Sequence, residues 1–412
     1  MSMKKSMYDV IVIGGGASGM LAASLCAASG RHTLLLEKND RCGRKLAITG
    51  KGRCNVTNAC SAQEVMKNIP RNARFLFSAL NAFPPEQVMA FFELHGCPLK
   101  IERGNRVFPV SDRAADIIAV LESQMQEHAV VRETALATKL LLRDGAVCGV
   151  DCGWRSFEAA HVIVCTGGAS YPLTGSNGDG YALVAPLGHT IVPPIGSLVP
   201  LTSEDADCLD MQGLSLRNTA FCLLDSRGKA VFKDFGELLF THFGLSGPMA
   251  LSASAHLKEG ERYTALLDLK PALDEAKLDA RILRDLESYS NRCMENAVVD
   301  LYPRSMIPCI LRRAGIDPAL RANSLTKAQR HALLAQTKRF PIAISGTRPV
   351  AEAIITRGGV DVREIDPKTM RSKLVRGLSF AGEIIDCDAY TGGFNLQIAW
   401  ATAYAAAMEI EP

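Results

Sequence analysis

The chain has 412 residues, of which 48% are hydrophobic and 22% are charged, with a formal net charge of +3. This composition excludes a mostly disordered chain, and the length allows two or three domains with their own cores. The 13 cysteines lack C-x-x-C spacing, which argues against a metal site and favours a reducing, cytoplasmic compartment, and no segment is apolar enough over about 18 residues to predict a membrane span.

The first predicted elements form a strand–helix–strand unit. Residues 8–13 are rich in β-branched side chains and predict a buried parallel strand. Residues 20–29 predict a helix of small residues, and residues 33–36 predict a second buried strand. This order is typical of a nucleotide-binding domain.

A glycine motif joins the first strand to the helix. Gly14, Gly16 and Gly19 have the G-x-G-x-x-G spacing, and Glu37 ends the second strand. The glycines permit a tight turn, a close approach of the backbone to a pyrophosphate, and close helix–strand packing. The N–H groups that open the helix, including those of Ala17 and Ser18, would bind phosphate, and Glu37 would bind ribose hydroxyls. The motif predicts a dinucleotide but does not separate FAD from NAD.

A basic loop follows at residues 38–53. Six positive side chains face one acid, Asp40; the positive residues are Lys38, Arg41, Arg44, Lys45, Lys51 and Arg53. We expect them to neutralise a diphosphate. The alternative is a solvated basic loop.

Three later segments favour FAD. Residues 161–168 predict a strand that ends in glycines, and residues 378–383 predict a strand that ends in Gly-Glu. Gly392 and Gly393 then open an apolar helix that runs to Met408. Such distant segments converge in two-layer FAD folds, where the last helix would stabilise negative charge on the reduced flavin. The alternative for this helix is simple packing.

Residues 43–58 resemble the signature loop of the BaiN/RdsA family of bacterial NAD(P)/FAD-dependent oxidoreductases, in the aminoacetone oxidase-like group. Further matches span nearly the whole chain, at residues 106–109, 165–172, 174–180, 239–248 and 381–397. Lys51 departs from the pattern, because many members carry glycine there. The resemblance implies an α/β protein with a glutathione-reductase-type, Rossmann-like FAD domain that is interrupted by an insertion.

The domain boundaries follow from where the FAD elements stop and resume. We expect a discontinuous FAD-binding domain at 1–191 and 346–412, an inserted β-rich substrate domain at 192–270 and a basic helical subdomain at 271–345. No second G-x-G-x-x-G follows a strand, so NADH or NADPH is expected as a transient reductant without a domain of its own.

The motifs and the resemblance together give a set of expected FAD-binding residues. They are Gly14, Gly16, Ala17, Ser18, Gly19, Glu37, Lys38, Arg44, Lys45, Gly52, Arg53, Cys54, Asn55, Ala135, Thr166, Gly167, Gly168, Gly382, Glu383, Gly393, Phe394, Asn395, Leu396 and Gln397.

Two residues are candidate catalytic groups. Cys54 could donate a proton near the flavin, although a thiol that only packs is the simpler interpretation. A Cys54–Cys60 dithiol is not expected, because five residues separate the two cysteines where related reductases have four. His242, in a glycine-rich loop, could be a general acid or a substrate ligand, or a loop histidine bonded to backbone.

The helical insertion carries a concentrated positive charge. Residues 304–340 contain eight Lys and Arg but one acid, Asp317. This charge favours a polyanion such as RNA, with a solvated helical face as the alternative. Only Phe340 is aromatic in this window, so base stacking is not expected.

Three functions remain open at this point. The resemblance implies FAD-dependent reduction by NAD(P)H of a C=C bond conjugated to a carbonyl, and the basic module favours uridine in ribosomal RNA. The second is a small-molecule flavoenzyme, either a steroid-type enone reductase or an aminoacetone/amine oxidase. The third is a non-catalytic, FAD-stabilised RNA-binding factor.

Overall fold

The computed structural model describes residues 8–258 and 260–410. They divide into two compact units. The first contains the described residues up to Ser197 and from Val350 onward, and the second is Leu198–Pro349.

The strands and helices are numbered along the chain. The strands are β1 Tyr8–Ile13, β2 Thr33–Glu37, β3 Thr57–Asn58, β4 Leu99–Glu102, β5 Arg106–Pro109, β6 Val131–Thr134, β7 Lys139–Arg143, β8 Ala146–Asp151, β9 Ser156–Val164, β10 Ile191–Ser197, β11 Leu201–Thr202, β12 Ser215–Leu224, β13 Ala230–Thr241, β14 Gly244–Ser246, β15 Tyr263–Asp268, β16 Phe340–Ile344, β17 Gly346–Thr347, β18 Ile355–Val360 and β19 Leu378–Phe380. The helices are α1 Ala17–Ala28, α2 Arg44–Ile48, α3 Ala62–Lys67, α4 Phe77–Ala82, α5 Pro85–Leu94, α6 Ala114–Glu127, α7 Asp179–Val184, α8 Ala206–Asp210, α9 Pro248–Ser254, α10 Glu275–Ser288, α11 Met294–Ala297, α12 Ile307–Arg313, α13 Lys327–Lys338 and α14 Phe394–Met408.

The first unit is built on a parallel sheet. Its strand order is β6-β2-β1-β9, with β19 on the other side of β9, and β8 and β7 extend β9 as an antiparallel meander. Val10 pairs with Thr33 on one side and with His161 on the other. Because parallel strands share a direction, the carboxyl ends of β1, β2, β9 and β19 lie at one edge.

Helix α14 fills the core of this unit. It packs against α1, and both helices are rich in alanine, which lets helix axes approach closely. Trp400 is fully buried on α14, and its indole N–H donates to the carbonyl of Val56 over 2.9 Å. The C-terminal helix is therefore part of the nucleotide-binding unit, as the sequence predicts.

The second unit combines an antiparallel sheet with helices around one core. The sheet order is β16-β15-β12-β13-β14-β11-β17. Leu267 on β15, Leu278 on α10 and Ile310 on α12 belong to the same buried cluster. The helical stretch expected at 271–345 therefore shares its core with the β-rich stretch.

The observed division differs slightly from the expected boundaries. β10 pairs with β18 inside the first unit, so the insertion begins at Leu198 rather than 192. β17 pairs with β11 inside the second unit, so the insertion ends at Pro349 rather than 345. Both differences arise because long-range strand pairing, which the local sequence does not reveal, sets the boundary.

Candidate functional site

The turn after β1 shows why each motif position is glycine. A Cβ on Gly14, whose φ is +102°, would lie 2.6 Å from the carbonyl oxygen of Cys165. A Cβ on Gly19 would lie 1.8 Å from the carbonyl oxygen of Gly14. A Cβ on Gly16 would meet nothing within 4 Å. Gly14 and Gly19 thus serve the fold, whereas Gly16 faces the open space that the backbone leaves for a ligand.

The N-terminus of α1 offers backbone donors to that space. The first bond of the helix runs from Met20 N–H to the carbonyl of Gly16, over 3.0 Å, so the N–H groups of Ala17, Ser18 and Gly19 precede it. No acidic side chain lies in the first turn, and Gly16 provides no side-chain cap. The geometry is suited to bind a phosphate.

Glu37 ties this turn to the end of β2. One carboxylate oxygen accepts the N–H of Gly15 over 2.6 Å, and the other accepts the backbone and side-chain N–H groups of Asn39 over 2.8 and 2.6 Å. A carboxylate has about four acceptor positions, so one remains for a ribose hydroxyl. Ala135 follows β6 alongside, and its N–H donates to the carbonyl of Glu37 over 2.9 Å.

The structure gives the basic loop a different role from charge neutralisation alone. Three of its predicted cofactor residues are in ion pairs with acids that are distant in the sequence: Lys38 with Asp179, Lys45 with Glu383, and Arg53 with Glu102 and Asp112. Arg44 donates to the side-chain oxygen of Asn39 over 2.7 Å and to the carbonyl of Leu173 over 2.9 Å. These contacts fix the loop in place, and much of its charge is already balanced.

Arg53 illustrates this fixed role. Its guanidinium lies 4.2 Å from the ring centroid of Phe108. The hydrogen bonds that it donates to the carboxylates of Glu102 and Asp112 raise the pKa of the Arg53 guanidinium. Before it, Gly50, Lys51 and Gly52 all have positive φ, at 56°, 60° and 83°. Lys51 therefore holds a left-handed conformation that glycine would adopt at less cost.

Cys54 lies in the interior of the first unit. It is fully buried, also with positive φ, and burial raises the pKa of its thiol to about 12. A thiol with this pKa and no solvent contact is a poor proton donor near neutral pH. The structure favours the packing interpretation and argues against Cys54 as a catalytic acid.

The segment after β9 contains polar atoms that lack a protein partner. Within the described residues, the hydroxyl oxygens of Thr166 and Tyr181 are buried without any hydrogen bond. A Cβ on Gly180 would lie 1.8 Å from the Thr166 oxygen, so glycine keeps this space open. Buried polar groups are normally paired, so two orphaned hydroxyls in this segment, of which that of Thr166 lies next to Gly14, fit a ligand with polar substituents such as FAD.

The carboxylate of Glu383 is the centre of a hydrogen-bond network that includes Lys45 of the basic loop. One oxygen of Glu383 accepts from Lys45 over 2.6 Å, and the other accepts from the Thr356 N–H over 2.8 Å and from the Ser170 hydroxyl over 3.0 Å. A Cβ on Gly168 would lie 2.3 Å from the Thr356 hydroxyl, and Gly167 has a φ of +75°. Sequence reasoning missed Thr356, because nothing near it in the chain indicates a site.

The N-terminus of α14 is held by its own side chains. Asn395 accepts from the N–H of Ala389 and donates to its carbonyl, both over 2.8 Å. Gln397 is buried, and its side-chain amide accepts from the Thr57 hydroxyl over 2.6 Å and donates to the carbonyl of Phe83 over 2.8 Å. These two side chains position the segment rather than face a ligand.

The backbone of this helix end remains available. The N–H of Gln397 donates to the carbonyl of Gly393 over 3.0 Å, so those of Phe394, Asn395 and Leu396 precede the first bond. In the amide orientation that satisfies both of its ends, Asn55 accepts from the N–H of Gly393 over 2.9 Å.

Two glycines, Gly393 and Gly382, allow the close contacts that hold the segments around this helix end. A Cβ on Gly393 would lie 2.3 Å from the carbonyl oxygen of Thr57. Gly382, with a φ of +77°, donates its N–H to the Thr402 hydroxyl over 2.9 Å.

His242 lies in the second unit. Its side chain is exposed, and its ring stands nearly perpendicular to that of Phe243 at a centroid distance of 5.0 Å. The guanidinium carbon of Arg348 lies 4.9 Å from the ring centroid of Phe243. The exposed imidazole is accessible from solvent, which leaves both predicted roles for His242 open.

The basic module of the insertion is largely neutralised. Five of its eight positive side chains pair with acids outside residues 304–340: Arg312 with Asp207 and Asp210, Arg313 with Asp205 and Asp207, Arg330 with Asp279, Lys338 with Asp268, and Arg339 with Glu275. Residues 198–349 carry 20 Lys and Arg against 18 Asp and Glu, a net charge of +2. The high local charge in the sequence thus overstates the charge of the folded unit.

No helix in the described residues is long and apolar enough to cross a membrane. Asp207, Asp210 and Cys309 come close enough together to hold a metal ion. The two guanidinium groups of Arg312 and Arg313 already balance this acidic cluster.

Comparison with known proteins extends over nearly the whole chain. A family model described as "HI0933-like protein Rossmann domain" matches residues 8–409. A 3-dehydro-bile acid delta(4,6)-reductase from Clostridium scindens is 30% identical over 97% of this chain and 98% of its own. A ribosomal RNA dihydrouridine synthase from Escherichia coli is 28% identical over 98% of each chain.

A solved structure supports the fold. The 3-ketosteroid delta1-dehydrogenase from Sterolibacterium denitrificans, in complex with 1,4-androstadiene-3,17-dione, superposes with a TM-score of 0.52 over 97% of this chain and 98% of its own. At 13% identity this likeness concerns the fold alone. With the family match, it confirms the predicted α/β class and the Rossmann-like FAD domain.

Proposed function

The chain belongs to the HI0933-like family and is an FAD-dependent oxidoreductase, and from this premise we propose that it reduces a C=C bond conjugated to a carbonyl, with NADH or NADPH as the electron source. The observation that carries the proposal is the shared chemistry of the two full-length relatives. Dihydrouridine arises by saturation of the uracil C5=C6 bond beside C4=O, and a 3-dehydro, delta(4,6) substrate carries double bonds conjugated with a 3-oxo group. The two substrates share a conjugated carbonyl and little else.

The residues of the first unit hold and orient the cofactor. We propose that the N–H groups at the start of α1 bind the diphosphate, that Glu37 binds a ribose, and that Lys45 and Glu383 lie beside the ribitol. The bound flavin would carry a hydride from the nicotinamide to the substrate. The free N–H groups at the start of α14 would stabilise negative charge that develops there.

The second hydrogen enters the product as a proton, so the reaction needs a donor. We propose His242, because its imidazole is exposed whereas the thiol of Cys54 is buried with a pKa of about 12. His242→Gln should leave reduction of the flavin by NAD(P)H unchanged and slow its reoxidation by substrate by about a hundredfold or more, the usual effect of losing a general acid. Stopped-flow absorbance of the two half-reactions separates these effects, and an unchanged reoxidation rate would exclude His242 as the donor.

We propose uridine in ribosomal RNA as the substrate and the cytoplasm as the compartment. The relative from E. coli supports the first, and thirteen free cysteines support the second. A small enone remains the second candidate, because ion pairs neutralise most of the basic module and the bile acid reductase is equally similar. The non-catalytic alternative is set aside, since the family is one of oxidoreductases.

An anaerobic titration tests the proposal. Purified flavin-loaded protein is mixed with NADH or NADPH, flavin bleaching is followed, and a ribosomal RNA transcript or a small steroid enone is added. Reoxidation by RNA, with a gain of about two mass units on uridine from the added hydride and proton, is the expected result. Reoxidation by the enone alone would identify the second candidate, and bleaching without reoxidation by either acceptor would overturn the reductase proposal.

A further inference from the structure

Arg348 lies near the proposed proton donor in the second unit, although the two residues are far apart in the sequence. Its guanidinium carbon lies 4.9 Å from the ring centroid of Phe243, and the ring centroid of His242 lies 5.0 Å from the same point. A cation and an imidazole therefore contact one aromatic ring. His242 belongs to a segment that carries the family resemblance, whereas Arg348 lies outside every such segment.

One short strand holds the two residues from its two sides. β11 pairs antiparallel with β14 on one side and with β17 on the other. His242 and Phe243 connect β13 to β14, and Arg348 follows the end of β17. Neighbouring strands lie about 4.8 Å apart, so only the width of β11 separates β14 from β17.

Backbone hydrogen bonds fix both segments against β11. The carbonyl of Phe243 accepts the N–H of Ser203 over 2.8 Å. The N–H of Arg348 donates to the carbonyl of Pro200 over 3.0 Å. A Cβ on Gly244, whose φ is +140°, would lie 2.3 Å from a backbone oxygen of β11, so glycine lets the turn pass this close. Groups held in place before a ligand arrives lose less entropy when it binds.

A ligand can reach this group of side chains. The imidazole of His242 is exposed, and the side chains of Phe243 and Arg348 are half-buried. A guanidinium has five N–H donors, so it can bind a ligand oxygen and keep its contacts within the protein. Arginine is also charged at every pH at which the protein is folded, because its pKa lies above 12.

We propose that Arg348 is a further catalytic residue, which binds the carbonyl oxygen of the substrate while His242 protonates the α-carbon. In a C=C bond conjugated to a carbonyl, that oxygen and that carbon are only two bonds apart. Two groups that contact the same aromatic ring are therefore suitably placed to act on both atoms. This inference rests on the proposed function, because it assigns a second group to the same reduction.

The electron balance of the reduction explains why a cation is needed. Hydride, supplied by NADH or NADPH through the bound flavin, adds to the β-carbon. The double bond moves to the α-carbon and the carbonyl carbon, and the electron pair of the C=O π bond becomes negative charge on oxygen. A guanidinium stabilises this enolate far more than it stabilises the neutral carbonyl. A proton delivered to the α-carbon then restores C=O and completes the saturated product.

Stopped-flow absorbance of the flavin-loaded protein tests this role. Arg348→Gln should leave reduction of the flavin by NAD(P)H unchanged. Its reoxidation, by whichever of RNA and steroid enone reoxidises the parent, should slow by about a hundredfold or more, as for loss of one oxyanion donor. The apparent Kd of that acceptor should change much less than the rate, because the charge on oxygen develops only after hydride addition.

A matched control removes the same charge elsewhere in the unit. Arg284→Gln changes an exposed side chain of α10 and should leave both half-reactions unchanged. Equal slowing by Arg284→Gln and Arg348→Gln would overturn the proposal, since the effect would then follow from net charge. Reoxidation of Arg348→Gln at the rate of the parent would overturn it as well.

A second comparison separates catalysis from support of the neighbouring ring. If Arg348 only holds Phe243 and His242 in position, Phe243→Leu should slow reoxidation as much as Arg348→Gln does. If the guanidinium binds the enolate, Phe243→Leu should have the smaller effect. Guanidinium chloride, far below the concentrations that unfold proteins, should then restore part of the lost rate in Arg348→Ala. Equal slowing without such rescue would overturn the proposal.

The two proposals fail in different ways. If the parent flavin is reduced but no acceptor reoxidises it, the proposed function and the role of Arg348 fail together. If the parent is reoxidised and Arg348→Gln is reoxidised equally fast, only the role of Arg348 fails. The flavin content and thermal melt of each variant show that it is folded and loaded.

Discussion

Glu37 joins the fold and the proposed cofactor site in one side chain. Its carboxylate fixes the glycine turn through the N–H of Gly15 and fixes the next loop through Asn39. Because the carboxylate is buried, its removal leaves the Gly15 N–H without an acceptor, which costs about 1–3 kcal/mol. The same residue is expected to bind a ribose, so its loss should lower both the stability of the fold and the affinity for the cofactor.

Glu37→Ala should therefore lower both the flavin occupancy and the thermal stability of the purified protein. The ratio of flavin to protein absorbance and a thermal melt of the apoprotein measure the two effects. Glu37→Gln is the matched control, because an amide oxygen can still accept from Gly15. Undiminished flavin occupancy in Glu37→Ala would contradict the ribose assignment.

His189 forms a buried chain with two partners in the first unit. Its Nδ1 lies 3.2 Å from a carboxylate oxygen of Glu364, and its Nε2 lies 2.8 Å from the hydroxyl of Ser372. This order resembles a hydrolytic triad. The Ser372 oxygen, however, already accepts the N–H groups of Leu374 and Val375, and the imidazole is fully shielded from solvent. The arrangement is structural.

Burial lowers the pKa of His189, with Glu364 opposing the shift. Below about pH 6.5 the unfolded chain therefore takes up a proton that the folded state resists, and the free energy of unfolding falls as the pH falls. His189→Gln should show a weaker loss of stability than the parent between about pH 7 and pH 5. Urea unfolding at each pH measures the difference, and parallel curves for the two proteins would exclude this role.

At the scale of elements, substitutions in the glycine turn should separate an effect on flavin affinity from an effect on stability. Gly16→Ala adds a methyl group to open space, so the fold should persist while flavin affinity falls. Gly19→Ala places a methyl group 1.8 Å from the carbonyl oxygen of Gly14, and the required shift of α1 should cost about 1–3 kcal/mol or more. Thermal melts of the apoproteins and flavin titration distinguish the two. Equal destabilisation by both substitutions would contradict the assignment of Gly16 to the ligand side.

Local patterns explain which elements the sequence could predict. β1, α1 and β2 follow from short-range periodicity and a motif, and the structure places them within a few residues of the prediction. The partners of the basic loop could not be predicted, because Arg53 meets Glu102 and Lys45 meets Glu383 across 49 and 338 residues of chain. Thr356, which packs on Gly168, was missed for the same reason.

At the scale of the whole molecule, the described residues form two hydrophobic cores. The cluster around Ile11 and Trp400 belongs to the first unit, and the cluster around Leu267 and Ile310 belongs to the second. The proposed FAD contacts all come from the first unit. A ligand stabilises the folded unit to which it binds, so FAD should stabilise the first unit more than the second.

Asp207→Ala identifies the transition of the second unit. Asp207 is buried and accepts from both Arg312 and Arg313, so its removal should cost that unit about 3 kcal/mol or more. Differential scanning calorimetry should show one transition that FAD raises and another that Asp207→Ala lowers. A single transition that responds to both changes would show that the units unfold together.

Buried thiols of the first unit have a consequence for chemical labelling of the protein. Cys26, Cys54 and Cys165 are buried, and burial raises the pKa of each to about 12. Alkylating agents react with the thiolate, so these cysteines should stay unmodified while the first unit is folded. Each labelling event at these positions then marks one opening of the nucleotide-binding unit. The rate of alkylation at each of these cysteines, measured peptide by peptide by mass spectrometry, therefore gives the rate of local unfolding without an engineered labelling site.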